Sequence, residues 1–534
     1  MIGPQNELIT DCMSGHQIKG IKMWREYEIL CLSLWVVSCC GCAQDQADSG
    51  TPPEPKAVNS QKVVPQEIPV ATVEDLFDQL AISSSPADFL SKFTVIQSDH
   101  GDAAVRLAEQ ELAQPIKSDV SPEESEVLVR RQANAAILLL KLDKPQSVWP
   151  LLKQSPDPGL RSSIINWLGP RGGDVQTVIS RYEQESEVSV RRALLLCLGE
   201  FELSDSARQP LIDKLLDVYR NDPEAGVHAA AEWLLRRWYA AEQLVVIDEE
   251  LAQTGGQFLT VDDNARDWFI NGQGQTFAAL DGGEFQMGSA ETEAHHQEDE
   301  NLHRRVIEGR FAIGVKEVTF AQWRTFSSQA GLTDDESVSG SDDSPVVNVT
   351  WFQAVHYCNW LSEREGIPED QWCYEANADG VYGPGMKSHD NFWERGGYRL
   401  PTESEWEYAC RAGSVTSYNY GNTNDLLSRY AWHGEISGDY PHPVGLLKPN
   451  DFGLFDMHGN VLEWCSDWYG EYPDEVVRDR KGPLQGSDRV LRGGSWISNA
   501  RYCRSAFRIY YAPVNRYINL GFRVCLSPSG AGGR

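Results

Sequence analysis

Positive charge is what this 534-residue chain most lacks: 47 Lys and Arg stand against 78 Asp and Glu, for a formal net charge of −31. A surplus of that size repels phosphate backbones and anionic lipid, so nucleic acid is not an expected partner. The familiar signatures of nucleotide, serine-hydrolase and zinc-protease chemistry are missing too, with no P-loop, GxSxG or HExxH in the sequence. No CxxC pair occurs in the body of the chain, which argues against a cysteine-based structural zinc site. The first apolar stretch, Ile29 to Ser38, falls short of the ~20 residues a membrane-spanning helix needs. The chain itself is too long for one core and fits two to four domains at about 100–200 residues each.

Lys22 and Arg25 precede that stretch and Cys39, Cys40 and Cys42 follow it, the layout of a secretion signal. Glu26 and Glu28 weaken the positive start, and Met23 is an alternative first residue. Val36-Val37-Ser38-Cys39 resembles a bacterial lipobox, with Cys42 as the competing acylation point, so the chain is expected to be exported and held at the cell envelope. Its only membrane contact would then be the lipid anchor. Residues 43–69 are polar and carry Pro52, Pro53, Pro55, Pro65 and Pro69, the composition of an unpacked spacer. An oxidising compartment would permit disulfides among Cys358, Cys373, Cys410, Cys465, Cys503 and Cys525, with pairing left open.

Residues 70–245 read as helices. Four segments look alike, opening at Val129, Leu160, Val190 and Val227, at spacings of 31, 30 and 37 residues. Each follows a turn containing acidic residues or proline and runs into an apolar face. A period of this size predicts stacked helix pairs that bury one another's open faces, and the pattern resembles HEAT repeats. Such an array would offer a face to a protein or peptide partner. His228 stands where the other copies carry Arg and is expected to pack or lie at the surface.

After a linker over residues 246–275 the texture changes. Of 17 Trp, 11 lie from Trp268 onward, amid many glycines, which predicts a loop-rich α+β domain over 276–527 with aromatics filling the gaps between short elements, then a tail at 528–534. Thr319, Thr350 and Thr402 are expected helix N-caps, the last with Glu405 in a reciprocal capping box, so Glu405 reads as a cap and not as a catalytic acid. His295, His296 and His303 lie in a highly polar stretch and read as a solvated acidic loop in preference to a metal site.

Phe285-Gln-Met-Gly-Ser289, Tyr398-Arg-Leu-Pro-Thr-Glu-Ser-Glu-Trp-Glu-Tyr408, Asn450-Asp-Phe-Gly-Leu-Phe-Asp-Met-His-Gly-Asn-Val-Leu-Glu-Trp464, Arg492-Gly-Gly-Ser-Trp496 and Asn519-Leu-Gly-Phe-Arg523 together resemble the formylglycine-generating enzyme family, also called sulfatase-modifying factors. The resemblance implies a C-type-lectin-like fold. It also implies oxidation of a protein cysteine to formylglycine by molecular oxygen, at copper held by two cysteines, with structural calcium. One implied calcium loop falls on Asp456, Gly459, Val461 and Glu463; calcium takes carboxylate and carbonyl oxygens together. A second falls near Tyr430, Ala431 and Asp439, where Tyr430 replaces an amide ligand and the loop is shorter. At the implied copper positions stand Ser498 and Cys503, with Ser495 beside them. A serine hydroxyl is a hard neutral donor and cuprous copper prefers thiolates, so copper is not expected and Cys503 reads as structural. The expected function is recognition of a protein or other ligand by a domain that has lost its metal clamp. The alternative is an oxidase that draws a second thiol from elsewhere, such as Cys465 or Cys525.

Overall fold

The computed structural model describes residues 71–115, 121–254, 266–333, 340–472, 477–478 and 482–528. The signal, both lipobox cysteines and the Pro-rich spacer lie outside the described residues, as does most of the tail. Residues 71–534 form one compact unit. Among the described residues no helix is long and apolar enough to cross a membrane.

Helices fill the first part: α1 Val73–Ala81, α2 Pro86–Asp99, α3 Gly101–Leu112, α4 Pro122–Lys141, α5 Gly159–Trp167, α6 Val175–Gln184, α7 Val188–Leu198, α8 Asp205–Asn221, α9 Ala225–Arg237 and α10 Ala241–Thr254. Ser121 caps α4 through a reciprocal box with Glu124, and Pro122 occupies the first turn, where its missing N–H costs nothing. The four look-alike segments become α4, α5, α7 and α9, which pack in succession, while α6 lies on α7 and α8 on α9. A shared apolar position, held by Ile137, Leu168, Leu198 and Leu235, is buried in all four and belongs to one core cluster. Between α4 and α5 the chain makes only short 3₁₀ turns at Pro145–Ser147 and Trp149–Leu152, so the pairing of helices is less regular than the period suggests.

The second part is α+β. Its sheets are β1 Trp268–Ile270, β2 Thr276–Leu280, β5 Phe311–Gly314 and β13 Cys525–Leu526 in the order β1-β2-β5-β13; then β11 Arg508–Tyr511, β10 Arg489–Arg492, β8 Leu462–Trp468 and β12 Leu520–Gly521 in the order β11-β10-β8-β12. A third joins β3 Gly283–Met287, β4 His303–Ile307 and β9 Val477–Arg478, and a two-stranded ribbon pairs β6 Tyr374–Glu375 with β7 Lys387–Ser388. Helices α11 Phe320–Ala330, α12 Trp351–Arg364 and α13 Glu403–Arg411 begin at Thr319, Thr350 and Thr402, each in a reciprocal capping box. Glu405 also accepts from Arg399 at 2.6 and 2.7 Å, both side chains fully buried, so it is committed to structure.

The expected linker at 246–275 is narrower in the structure: α10 runs to Thr254 and β1 starts at Trp268. The reason is that β1 belongs to the seam between the two parts. Trp268 Nε1 donates to the Asp222 carbonyl at 2.8 Å, and the His228 ring lies 3.6 Å from the Trp268 ring and 4.2 Å from Tyr219. His228 is therefore a packing residue, buried, with Nδ1 2.7 Å from the Tyr219 carbonyl. Burial lowers its pKa to about 4. Below the ordinary His value the unfolded chain takes up a proton that the folded chain refuses, so stability falls as pH drops from about 6.5 toward 4. Denaturant titrations of His228→Phe across that window are expected to show a flatter profile than the parent; an unchanged slope removes His228 as a source.

Nearby, burial alone would raise the Glu232 carboxyl, but Lys316 and Arg236 outweigh it and hold it at about 2. Gly226 of α9 faces the 448–453 loop so closely that a Cβ would lie 2.6 Å from the Asp451 carbonyl and 2.5 Å from Arg192 Cδ. Gly226→Ala is expected to cost about 1–3 kcal/mol through overpacking, read as a lowered denaturation midpoint. An unchanged midpoint would mean that the seam is loosely packed.

Candidate functional site

Strand β10 ends at Arg492, and Gly493 and Gly494 turn the chain at φ 96° and 74°. A Cβ on Gly494 would lie 2.8 Å from Cys503 Sγ, so the glycine lets the turn close over that thiol. The turn delivers Ser495, buried, whose N–H donates to Ser498 Oγ at 3.0 Å and whose hydroxyl pairs with Ser498 Oγ at 3.0 Å. Asn519 Nδ2 donates to Ser495 Oγ at 3.1 Å. The Cys503 thiol also faces the Ser495 N–H, and burial pushes it up to about 12 despite that contact. Ser498 and Cys503 thus gather around one backbone N–H, one a hydroxyl and the other a thiol that stays protonated.

Cys503 packs in a cluster with Tyr418, Tyr420, Leu426, Leu427, Tyr430, Ala431 and Ala500. No second cysteine belongs to that cluster: Cys465 lies in β8, its carbonyl bonded by Trp351 Nε1 at 3.0 Å, and Cys525 lies in β13 against β5. The seven described cysteines are buried free thiols. His458 holds the segment in place: its Nδ1 is 2.7 Å from the Cys503 carbonyl and its Nε2 accepts from the Asn419 N–H at 3.2 Å, which sets the tautomer. Burial lowers its pKa to about 4, so it stays neutral there.

Toward solvent, the Gly434 N–H donates to the Ser498 carbonyl at 2.9 Å and Trp496 Nε1 to that of Ile518 at 3.3 Å. Ile436, Tyr440, Tyr517 and Ile518 are exposed on these same segments, and Trp432 stacks on His442 at 3.8 Å. Ser498 is half-buried, and the segments that carry these exposed side chains are tied to its own by the two bonds.

The implied calcium loop has a mixed donor set. Asp456, at φ 57°, accepts from the Gly445 N–H at 2.7 Å through Oδ2, while its buried Oδ1 has no hydrogen-bond partner; burial raises its pKa to about 6. Gly459 is required by space, since a Cβ would lie 2.1 Å from the Trp432 carbonyl. Glu463 is already engaged, accepting from Arg523 at 2.6 Å on each oxygen and from Trp406 Nε1 at 2.8 Å. Glu317, which no sequence motif singled out, accepts from Asn460 Nδ2 at 2.8 Å and from the Val461 N–H at 3.3 Å. Burial and then the Asp456 and Glu463 charges push Glu317 well above the carboxylate range. Asp456 fits a hard cation; Glu463 is paired with a guanidinium. Among the described residues no three His, Cys, Asp or Glu converge as a metal site.

At the second loop Tyr430 is a buried member of an aromatic stack, 4.5 Å from Tyr420, its hydroxyl meeting Asn166 Nδ2 at 3.3 Å, and Asp439 is exposed. The 291–303 stretch, expected to be solvated, is pinned instead: Arg504 binds Glu293, Glu300 and the His295 carbonyl at 2.7–2.8 Å. Its histidines diverge, His296 to Ser289 Oγ and His303 to the Asn301 carbonyl.

Residues 270–528 match the family model described as the sulfatase-modifying factor enzyme 1-like domain. The formylglycine-generating enzyme of Streptomyces coelicolor is 31% identical over 282 residues, 46% of this chain and 87% of that one. This chain belongs to the formylglycine-generating enzyme family. Another family relative, the Paenibacillus barcinonensis chaperone protein LppX, is 30% identical over 216 residues, 35% of this chain and 70% of that one. Among solved structures, Treponema denticola variable protein 1 is 31% identical with a TM-score of 0.43, covering 48% of this chain and 95% of that one. The family match begins within β1 and so leaves the helical part unmatched.

Proposed function

We propose that this chain uses its formylglycine-generating-enzyme-like domain to recognise a protein or peptide at the surface around Ser498, and that it does not oxidise cysteine there. One observation carries the reading: the two side chains at the family's copper positions supply a hydroxyl and a single buried, protonated thiol. Cuprous copper needs soft thiolate donors, and a buried thiol held near 12 resists becoming one. Exposed apolar and aromatic side chains on the segments tied to that of Ser498 suit a peptide, and a relative 30% identical to this chain is named as a chaperone protein. In this reading the chain is exported and lipid-anchored at Cys39 or Cys42, supported by the N-terminal sequence pattern.

The convergence of Ser498 and Cys503 on one N–H keeps the oxidase as the second reading. Incubating the purified chain with copper, oxygen and a cysteine-bearing sulfatase peptide separates the two. No aldehyde is the expected result, and peptide aldehyde would establish the oxidase.

We also infer that calcium occupies the Asp456 loop, held by Asp456 Oδ1 with the carbonyls of Gly459 and Val461. Glu463 would then support the loop through Arg523. An ion bound to the folded state raises its stability by mass action. Chelation is expected to lower the melting temperature of the parent and leave that of Asp456→Asn unmoved; a parent that melts identically with and without chelator removes the ion.

A further inference from the structure

An opening lies where α4 and α5 meet the 420–426 segment. It is a cavity of about 60 Å³ whose walls include Val129, Trp167, Tyr420 and Leu426. Tyr420 is 2% exposed and its ring is held between Tyr418 at 5.2 Å and Tyr430 at 4.5 Å, yet its buried hydroxyl has no hydrogen-bond partner. A buried hydroxyl without a partner is costly, and this one lines a cavity open to solvent. Glu126, Asp157 and Asp425 line the same cavity with a single cation, Arg130, 3.9 Å from Asp425. Asp157 also accepts from the Gly159 N–H at 2.9 Å. Burial, and then the Asp425 charge, raises the Glu126 pKa.

Apolar walls, an unpartnered hydroxyl and a surplus of carboxylates describe the complement of one side chain. We propose that this cavity takes a lysine side chain of a basic protein or peptide partner, its stem along Val129, Leu426 and Trp167 and its ammonium donating to Tyr420 Oη. A slim aliphatic stem ending in a charge is how lysine packs against apolar surface. The chain's net charge of −31 favours encounter with basic partners over acidic ones. This site stands independently of the Ser498 reading, because the helical part builds half of it.

The test uses the full chain and a capped Gly-Gly-Lys-Gly-Gly peptide, with its norleucine twin as the apolar control, followed by titration calorimetry. The lysine peptide is expected to bind saturably, at least about tenfold tighter than the twin, and more weakly as salt rises. Tyr420→Phe should weaken it about tenfold and Val129→Phe, which fills the cavity, should abolish it. Thermal melts establish that each variant folds; should Tyr420→Phe melt early, Asp425→Asn at the exposed rim replaces it, with a severalfold loss expected. Equal binding of the norleucine twin, binding that survives Val129→Phe, or no binding at all overturns the proposal.

Discussion

Ser498→Cys is expected to bind cuprous copper stoichiometrically, and the parent chain is expected not to retain it. The Ser495 N–H donates to Ser498 Oγ and is also faced by the Cys503 thiol, so a sulfur at 498 would share that donor with the one at 503. Two soft donors can share one cuprous ion, and binding would drive off the protons that burial otherwise retains. Competition against a coloured cuprous chelator reads the affinity directly. Adding Cys503→Ala to the Ser498→Cys variant should return it to the parent's behaviour. A parent chain that competes as well as the variant would show that the hydroxyl is no obstacle, and the recognition reading would fall with it.

Asp451→Ala is expected to destabilise the chain by about 3–5 kcal/mol, the cost of leaving the buried Arg161 guanidinium without its carboxylate. Both Asp451 oxygens accept from Arg161 Nη1 at 2.8 Å, and Arg192 Nε lies 3.5 Å away. Arg161 also holds the Leu152 and Ser189 carbonyls, so its guanidinium cannot turn to water when the carboxylate is removed. One loop thus ties α5 and α7 to the α+β part, and Lys448 adds a second tie, donating to Asn166 Oδ1 at 2.8 Å and to Glu200. Urea titration followed by tryptophan fluorescence checks the value, since Trp233 lies at this seam beside Lys448. A loss below about 1 kcal/mol would mean that the Asp451 tie contributes little to holding the two parts together.

These ties qualify the role expected of the helical array. Arg161 and Arg192 come from two of the four look-alike segments, and both face the chain's own Asp451. A surface drawn toward outside partners is, along α5 and α7, largely an internal one. Any partner must use what this docking leaves open, and the cavity beside Tyr420 is one such place.

Much of the architecture was legible in advance because it rests on local physics. The three threonine caps with Gln322, Gln353 and Glu405 depend on neighbours three residues apart, and the repeated apolar runs needed only helical periodicity. Ser498 could be flagged because it stands at a fixed count from a recognisable glycine pair. Glu317 escaped notice because its partners, Asn460 and Val461, lie far along the chain and no spacing links them. The 291–303 stretch misled for the same reason: its carboxylates look solvated until Arg504 arrives from the far end of the domain.

The order of residues alone determined the helical and α+β halves, the family, and the hydroxyl that replaces a thiol, since each depends on residue identity and short-range spacing. Only the tertiary structure decided that Cys503 is a buried thiol with no cysteine in its cluster, that Glu463 is bound to Arg523, and that the array grips its own C-terminal half. Burial and charge pairing arise between residues that folding brings together from distant parts of the chain, and it is those encounters that set whether a thiol ionises, a carboxylate is free, or a surface is open.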